Sequence, residues 1–186
     1  MKSFSTVIET FQYFYPYSVA VVGGKSEKEL NYMTCAWHTA LSFSPPLFGV
    51  CISKKRKTHQ IITEAREFSV NFLTMEQVKL AAQLGRRSGH DLDKIKEFKV
   101  KLSPAQVIQS PILEEAYACF ECRLVDVKAY GDHDLFVGEV LAVHFEKEAF
   151  DQDGVLQPPR ISPLCYLGND FYITVNPDSL KHVLPD

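Results

Sequence analysis

Three short stretches hold the residues most able to do chemistry. The first is Ser53-Lys54-Lys55-Arg56-Lys57-Thr58, four cationic side chains in a row between two hydroxyls. It stands where an apolar run ends and a helical pattern begins, so hydroxyls, cations and the free N–H groups of a helix N-terminus converge in a way that suits one phosphate group. A solvated basic turn is the plainer alternative, and a nuclear-localisation or nucleic-acid patch is a third. The second stretch, Asn31-Tyr32-Met33-Thr34-Cys35-Ala36-Trp37, ends in the only tryptophan. Small and polar side chains on a strand leave a flat ring room to lie against backbone N–H and C=O groups, which is how a polar heteroaromatic is oriented. A core tryptophan is the competing reading. The third is Gly131-Asp132-His133-Asp134 between two long strand patterns. A hairpin there needs only Gly and Asp, so His133 is either a bystander or an exposed hydrogen-bonding imidazole at a barrel mouth.

Other chemistries find no footing. Cys119-Phe120-Glu121-Cys122 has metal or redox spacing, yet on a strand residues i and i+3 face opposite ways and cannot share a metal or a disulfide. These two cysteines, with Cys35, Cys51 and Cys165, read as small packing groups in the wall of the fold. The six histidines form neither H-x-H nor H-E-x-x-H, so no metal is expected. G-x-S-x-G, G-x-G-x-x-G and G-x-x-x-x-G-K-[ST] are also missing, which removes the common hydrolase, Rossmann and P-loop chemistries.

Composition sets the frame around these stretches. The 186 residues, 46% hydrophobic and 12% aromatic, predict one globular domain over 1–186. Twenty basic against twenty-three acidic residues, net −3, give too weak a positive field to hold a nucleic acid by counterion release. The longest apolar stretches, such as Leu47 to Ile52, are far short of the ~20 residues of a membrane span, so no membrane partner is expected. An odd cysteine count and a polar, aromatic start point to a reducing, cytoplasmic setting.

The elements that must position the three stretches are mostly strands. Ser18–Val22 reads as a strand ending at Gly23-Gly24, Lys25–Glu29 as a hairpin loop, and Asn31–Ala40 as the returning strand. After the Ser44-Pro45-Pro46 breaker, Leu47–Ile52 reads as a strand buried on both faces. Thr58 is placed to cap a helix through Ala65, with Ile61, Ile62 and Ala65 on one face. Phe68–Leu73 alternates as a strand, and Thr74-Met75-Glu76-Gln77 is a capping box opening a helix that runs to Leu84 and stops at Gly85. A loop over Arg86–Asp91 and a helical turn over Leu92–Phe98 follow. Long strands Ala116–Tyr130 and Leu135–Phe150 come next, then a closing hairpin, Leu164–Leu167 and Phe171–Val175, around Gly168-Asn169-Asp170. Six or seven strands with two or three helical insertions predict a mainly β fold, an antiparallel barrel closed or partly closed.

Taken in order, the motifs resemble the flavin reductase-like family, the FMN-binding split-barrel proteins that include flavoredoxin and the small reductase components of two-component monooxygenases. The matching pieces are Asn31-x-Met33-Thr34-x-Ala36-Trp37, Leu41-Ser42-Phe43-Ser44-Pro45-Pro46-Leu47, Lys57-Thr58 before a helix, Glu67-Phe68-Ser69-Val70-Asn71, Ser88-Gly89-x-Asp91-x-Asp93-Lys94, and Gly131 to Val140. They cover about residues 10 to 175. The resemblance implies a Greek-key antiparallel split β-barrel, one FMN per subunit, and a homodimer with each flavin near the subunit interface. Carried over, Asn31, Met33, Thr34, Cys35, Ala36 and Trp37 would line the isoalloxazine, Ser53, Arg56, Lys57 and Thr58 would take the phosphate, and Ser88 and Gly89 would lie close by. In the family's NADH-using members the Gly-Asp-His turn is associated with the nicotinamide, which makes His133 the candidate for that contact. The implied activity is reduction of the flavin by NAD(P)H, with electrons passed on to a flavin, a metal complex or a protein. The surroundings of Trp37 look closer to the flavoredoxin branch, which admits a protein redox partner as the donor. A non-catalytic FMN carrier or storage protein is the alternative, and a nucleic-acid protein using Lys54 to Lys57 a third.

Overall fold

In a computed structural model describing residues 2–183, twelve strands and three α-helices follow one another. They are β1 (Tyr17–Ser18), β2 (Ala20–Lys25), β3 (Leu30–Cys35), β4 (His38–Phe43), β5 (Pro46–Ser53), α1 (Lys57–Ala65), β6 (Glu67–Phe72), α2 (Val78–Arg86), α3 (Lys94–Glu97), β7 (Leu102–Ser103), β8 (Ile112–Leu113), β9 (Ala118–Tyr130), β10 (His133–Phe145), β11 (Cys165–Gly168) and β12 (Phe171–Ile173). Seven strands form one antiparallel sheet in the order β3-β2-β6-β9-β10-β5-β4. The strands β3 and β4 are consecutive in the chain yet stand at its two ends. Ala36 and Trp37, the only residues between them, reach roughly 10 Å at most. The sheet therefore curls into a split barrel, and beside the corner the Cys51 N–H donates to the Trp37 carbonyl at 2.8 Å, carrying the β4–β5 ladder one rung further. The mainly β antiparallel fold read from the sequence is the one observed, but the strand expected over Asn31–Ala40 is two strands, broken at this corner.

Burial on both faces of β2 explains its apolar run. Ala20 and Val22 face the barrel interior with Phe48, Val50, Ile52, Phe68 and Phe136, while Val19 and Val21 face a second core under α2 with Tyr32, Ala81 and Leu84. Gly23 and Gly24 do not end the strand; they lie within it. A Cβ at Gly23 would overlap the Tyr32 ring, and one at Gly24 would press on Ile62 of α1. In β6 the alternate residues Ser69 and Asn71 are buried as well. Their polarity serves the irregular chain that covers them, Ser69 Oγ donating to Pro111 O (2.8 Å) and Asn71 Nδ2 to Val21 O (2.9 Å), while Asn71 Oδ1 accepts from Leu113 N (2.8 Å).

Helix ends follow local chemistry with two corrections. Gln77 Oε1 accepts the Thr74 N–H at 2.9 Å, as a capping box requires, and α2 then runs past Gly85 to Arg86. At α1 the N-cap is Arg56, not Thr58; Thr58 lies inside the first turn, buried, its Oγ1 accepting from Asn31 Nδ2 at 2.7 Å. The turn between β9 and β10 is Gly131-Asp132 alone, with Gly131 at φ +65, so His133 already belongs to the strand. Cys119 and Cys122 are buried on opposite faces of β9, Cys122 in the barrel core and Cys119 toward the Leu113 carbonyl.

The buried carboxylate of Glu121 fastens the chain leading into β8. It accepts from the N–H groups of Gln106 (2.8 Å), Val107 (2.7 Å) and Ile108 (3.0 Å), and pairs with His144 Nε2 at 2.5 Å. Burial works to raise its pKa, but these donors outweigh burial and hold it below the ordinary 4.5. A depressed folded pKa gives stability that is present above the unfolded value and lost as pH falls through the folded one. Glu121→Gln should therefore cost about 1–3 kcal/mol near neutral pH. In urea unfolding across the acid range the gap between the two proteins should narrow below about pH 4; a gap independent of pH would show that the charge is not what fastens the loop.

Candidate functional site

The corner after β5 is shaped by a tight turn in which Arg56 N–H donates to Ser53 O at 2.9 Å, releasing the chain into α1. The first N–H groups of α1 open toward a small pocket. Asn31 and Met33 from β3, Arg56, Lys57 and Thr58 from the start of α1, and Ser88 and Gly89 from the loop after α2 all line it. These are seven of the residues picked from sequence, drawn from three separate segments. Gly89 is required by closeness: a Cβ there would overlap the Asn31 amide, which is wedged between the loop and Thr58.

The charge in this pocket is lopsided. Lys55, Arg56, Arg87 and Lys94 border it together with Lys57, and among the described residues no carboxylate does. Lys57 is the exception among the cations, its Nζ 2.6 Å from Glu29 outside the pocket; Lys54, on the far side of the turn, faces Asp134 at 3.4 Å. His59 Nε2–H donates to the same Asp134 at 2.8 Å, and His59, then Lys54, hold that carboxyl below its usual range. Positive charge at a helix N-terminus with no local anion is a site arranged for one.

A second cleft of about 290 Å³ adjoins the first and shares Arg56. Thr34 and Ala36 form one side of it, Ala82, Gly85 and Arg86 of α2 another, and Tyr166 and Tyr172 of the β11–β12 hairpin the third. Thr34 Oγ1 donates to Ala81 O, which seats α2 on β3, and Gly85 leaves only 3.2 Å between its Cβ position and Thr34. The hairpin is tied to α2 by Arg86 and Asp170, 2.6 Å apart, and within it the Tyr166 and Tyr172 rings lie 5.3 Å apart between centroids.

Trp37 and His133 come together as a third group. Their rings are 4.9 Å apart, with Phe11 6.2 Å from the indole on its other flank. Ser53 sits directly across from His133 in the β5–β10 ladder, so it joins this group rather than the pocket of Thr58. Cys35 does not line the site: it packs in the barrel core, its Sγ 3.3 Å from the Trp37 carbonyl, and burial pushes its pKa up to about 12. Sequence reasoning named Lys55 only as part of the basic row and passed over Arg87, the hairpin tyrosines and Asp170. Arg87 borders a quoted motif, whereas nothing local marks the hairpin's place at the cleft, which is set by β1 pairing with β11 and by the Arg86–Asp170 bridge.

With this geometry fixed, the relationship to known proteins is decided by one match: the family model for the flavin reductase like domain covers residues 12–174. The chain belongs to the flavin reductase-like family. An uncharacterized protein of Pyrococcus abyssi is 36% identical over 144 residues, 77% of this chain and 83% of that one. An FMN-binding protein of Thermus thermophilus, solved with 1-cyclohex-2-enone bound, superposes with TM-score 0.88 at 37% identity, covering 98% of this chain and all of the other. A flavoredoxin of Methanosarcina acetivorans superposes with TM-score 0.83 at 27% identity, covering 95% and 92%. Among the described residues of this flavin reductase-like chain, no cluster of His, Cys, Asp or Glu is placed to hold a metal, and no helix is long and apolar enough to cross a membrane.

The wedge at Gly89 is testable. Gly89→Ala should push Asn31 off Thr58 and cost about 1–3 kcal/mol in thermal or urea unfolding. An unchanged midpoint would show that the loop yields freely and that the close approach is not required.

Proposed function

We propose that this chain is an FMN-binding oxidoreductase, reduced by NAD(P)H or a protein donor and passing electrons on to a flavin, a metal complex or a protein. The observation that carries the reading is the anion-free cationic pocket at the start of α1, set beside a ring-sized cleft. The residues present fit FMN. Arg56, Thr58 and Ser88, with the open N–H groups of α1 and the neighbouring Lys55 and Arg87, would hold the phosphate. Met33, Thr34 and Ala36 would border the ring. Bound FMN would supply the electron chemistry itself, since none of these side chains is a redox group. Lys57 contributes less than its position suggests, because Glu29 already answers its charge.

Trp37 and His133 are the proposed nicotinamide contact, an aromatic face and an imidazole at one end of the split. His133 Nδ1 lies 2.9 Å from Asp132 Oδ1, which orients the ring. A homodimer belongs to the same reading. Phe43, 98% exposed, and the exposed Val143 and Phe145 are apolar groups that a second subunit would cover. The cytoplasm is the setting that fits, all five cysteines standing as thiols. A nucleic-acid role is disfavoured because Lys54 and Lys57 each face a carboxylate, leaving no continuous cationic strip.

Titrating the purified chain with FMN, followed by its visible spectrum, tests the proposal. Arg56→Ala should weaken binding about tenfold or more, whereas Lys54→Ala should leave it within about twofold. A chain whose spectrum and melting temperature ignore FMN would overturn the assignment. Anaerobic mixing with NADH and NADPH then separates a reductase, whose flavin bleaches, from an electron carrier, whose flavin stays oxidised with both; the likeness to a flavoredoxin favours testing the second outcome. If His133 meets the nicotinamide, His133→Ala should slow bleaching about tenfold and leave FMN affinity unchanged.

A further inference from the structure

The ring-sized cleft has two fixed walls and one held mainly at its root. Thr34 Oγ1 donates to Ala81 O, and a Cβ at Gly85 would stand only 3.2 Å from Thr34, so β3 and α2 are seated on each other. The β11–β12 hairpin is different. Its root is firm: Leu164 is buried, its N–H donating to Leu73 O at 3.0 Å and its carbonyl accepting from Val19 N at 3.0 Å. Two rungs to β1 follow, Tyr17 with Tyr166 and Ser18 with Cys165. Beyond them Leu167, Phe171 and Ile173 are exposed, and Gly168, Asn169 and Asp170 reverse the chain with three successive positive φ angles. Tyr15 lies against Gly168, and among the described residues one ion pair holds the tip. Arg86 Nε donates to Asp170 Oδ1 and Nη2 to Oδ2, each at 2.6 Å, a two-pronged bond with directional strength. Both residues line the cleft, and both side chains are half exposed, so the bridge lies where the cleft meets solvent.

We propose that the β11–β12 hairpin is a gate on the ring cleft and the Arg86–Asp170 bridge its latch, so that a flavin inside is retained between turnovers instead of exchanging freely. The inference rests on the FMN reading and adds how the ring enters and leaves. With β3 and α2 fixed, a flat ring passes when the hairpin swings about Leu164, carrying Tyr166 and Tyr172 away from Ala82 and Gly85. That swing has to part Arg86 from Asp170. The latch acts on the open and closed hairpin rather than on the flavin, so it slows passage in both directions alike. An exposed pair is also open to screening, which makes retention depend on salt.

Stopped-flow measurement of FMN uptake and release by the full chain, followed by flavin fluorescence at low salt and at about 1 M salt, tests this. Arg86→Gln and Asp170→Asn should each raise both rates about three- to tenfold and leave Kd within about threefold. Asparagine keeps the left-handed turn that position 170 needs. The double variant should be no faster than either single one, because all three lose the same bridge. Arg86→Lys, with a point charge in place of the fork, should fall between. High salt should speed the unsubstituted chain toward the variants and leave the variants unchanged. In the flavin-free chain, amide exchange over Tyr166–Phe171 should quicken in both single variants while β6 keeps its protection. Unchanged rates in both variants overturn the proposal, and so does unchanged amide exchange. Faster release with uptake unaltered, or effects of the two substitutions that add, would overturn it too, by showing a direct contact with the flavin. An unsubstituted chain that binds no FMN removes the FMN reading and the gate together, whereas binding with unchanged rates removes the gate alone.

Discussion

The link from β3 to β4 is two residues long and has to join the two ends of a seven-stranded sheet. Because so short a span cannot cross a flat sheet, the sheet curls, and the curl carries the rest of the molecule with it. It brings Trp37 over the end of β5 and against His133 at the start of β10. It also sets β3 beside α1, so that Asn31 can reach Thr58. The covering of β2 on both faces, by the barrel core on one side and α2 on the other, then fixes the height of α2 above β3, and with it the width of the cleft.

On that scaffold the electrostatics of the site are set by where the carboxylates go. Glu29 and Asp134 lie outside the small pocket and take Lys57 and Lys54 respectively. What remains inside is a cluster of cations with hydroxyls and helix N–H groups, and one of those cations is buried. The balanced net charge of the chain hides this separation. A local excess of positive charge in a confined space suits a compact anion, whereas a polymer needs a continuous exposed strip. Membership of the flavin reductase-like family and the likeness to an FMN-binding protein agree with that arrangement.

Much of the fold was legible because its signals are local. The capping box at Thr74, the Gly168-Asn169-Asp170 turn with Asn169 and Asp170 at positive φ, and the apolar runs of β2 and β5 all follow from nearest-neighbour chemistry. The misreadings share a cause. Asn31–Ala40 looks like one strand because nothing local marks the sharp corner at Ala36-Trp37, which exists only to meet a distant strand end. Gly23-Gly24 looks like a terminus, but the glycines are there for Tyr32 and Ile62 to approach. Thr58 looks like a cap, yet its hydroxyl is claimed by Asn31.

The candidate site divides along the same line. The sequence alone determined the inventory: hydroxyls and cations at a strand-to-helix corner, small polar residues before a tryptophan, a histidine beside a hairpin turn, and the order of motifs that points to a flavin-binding family. Tertiary structure alone decided which of those groups share a space. It moved Ser53 to the side of His133, turned Cys35 into the core, neutralised Lys54 and Lys57, and placed Arg87 and the buried Lys94 at the pocket instead. The physical reason is that residue type and local geometry are properties of neighbours in the chain, while charge pairing and burial depend on sheet register and helix docking, which join residues far apart in it.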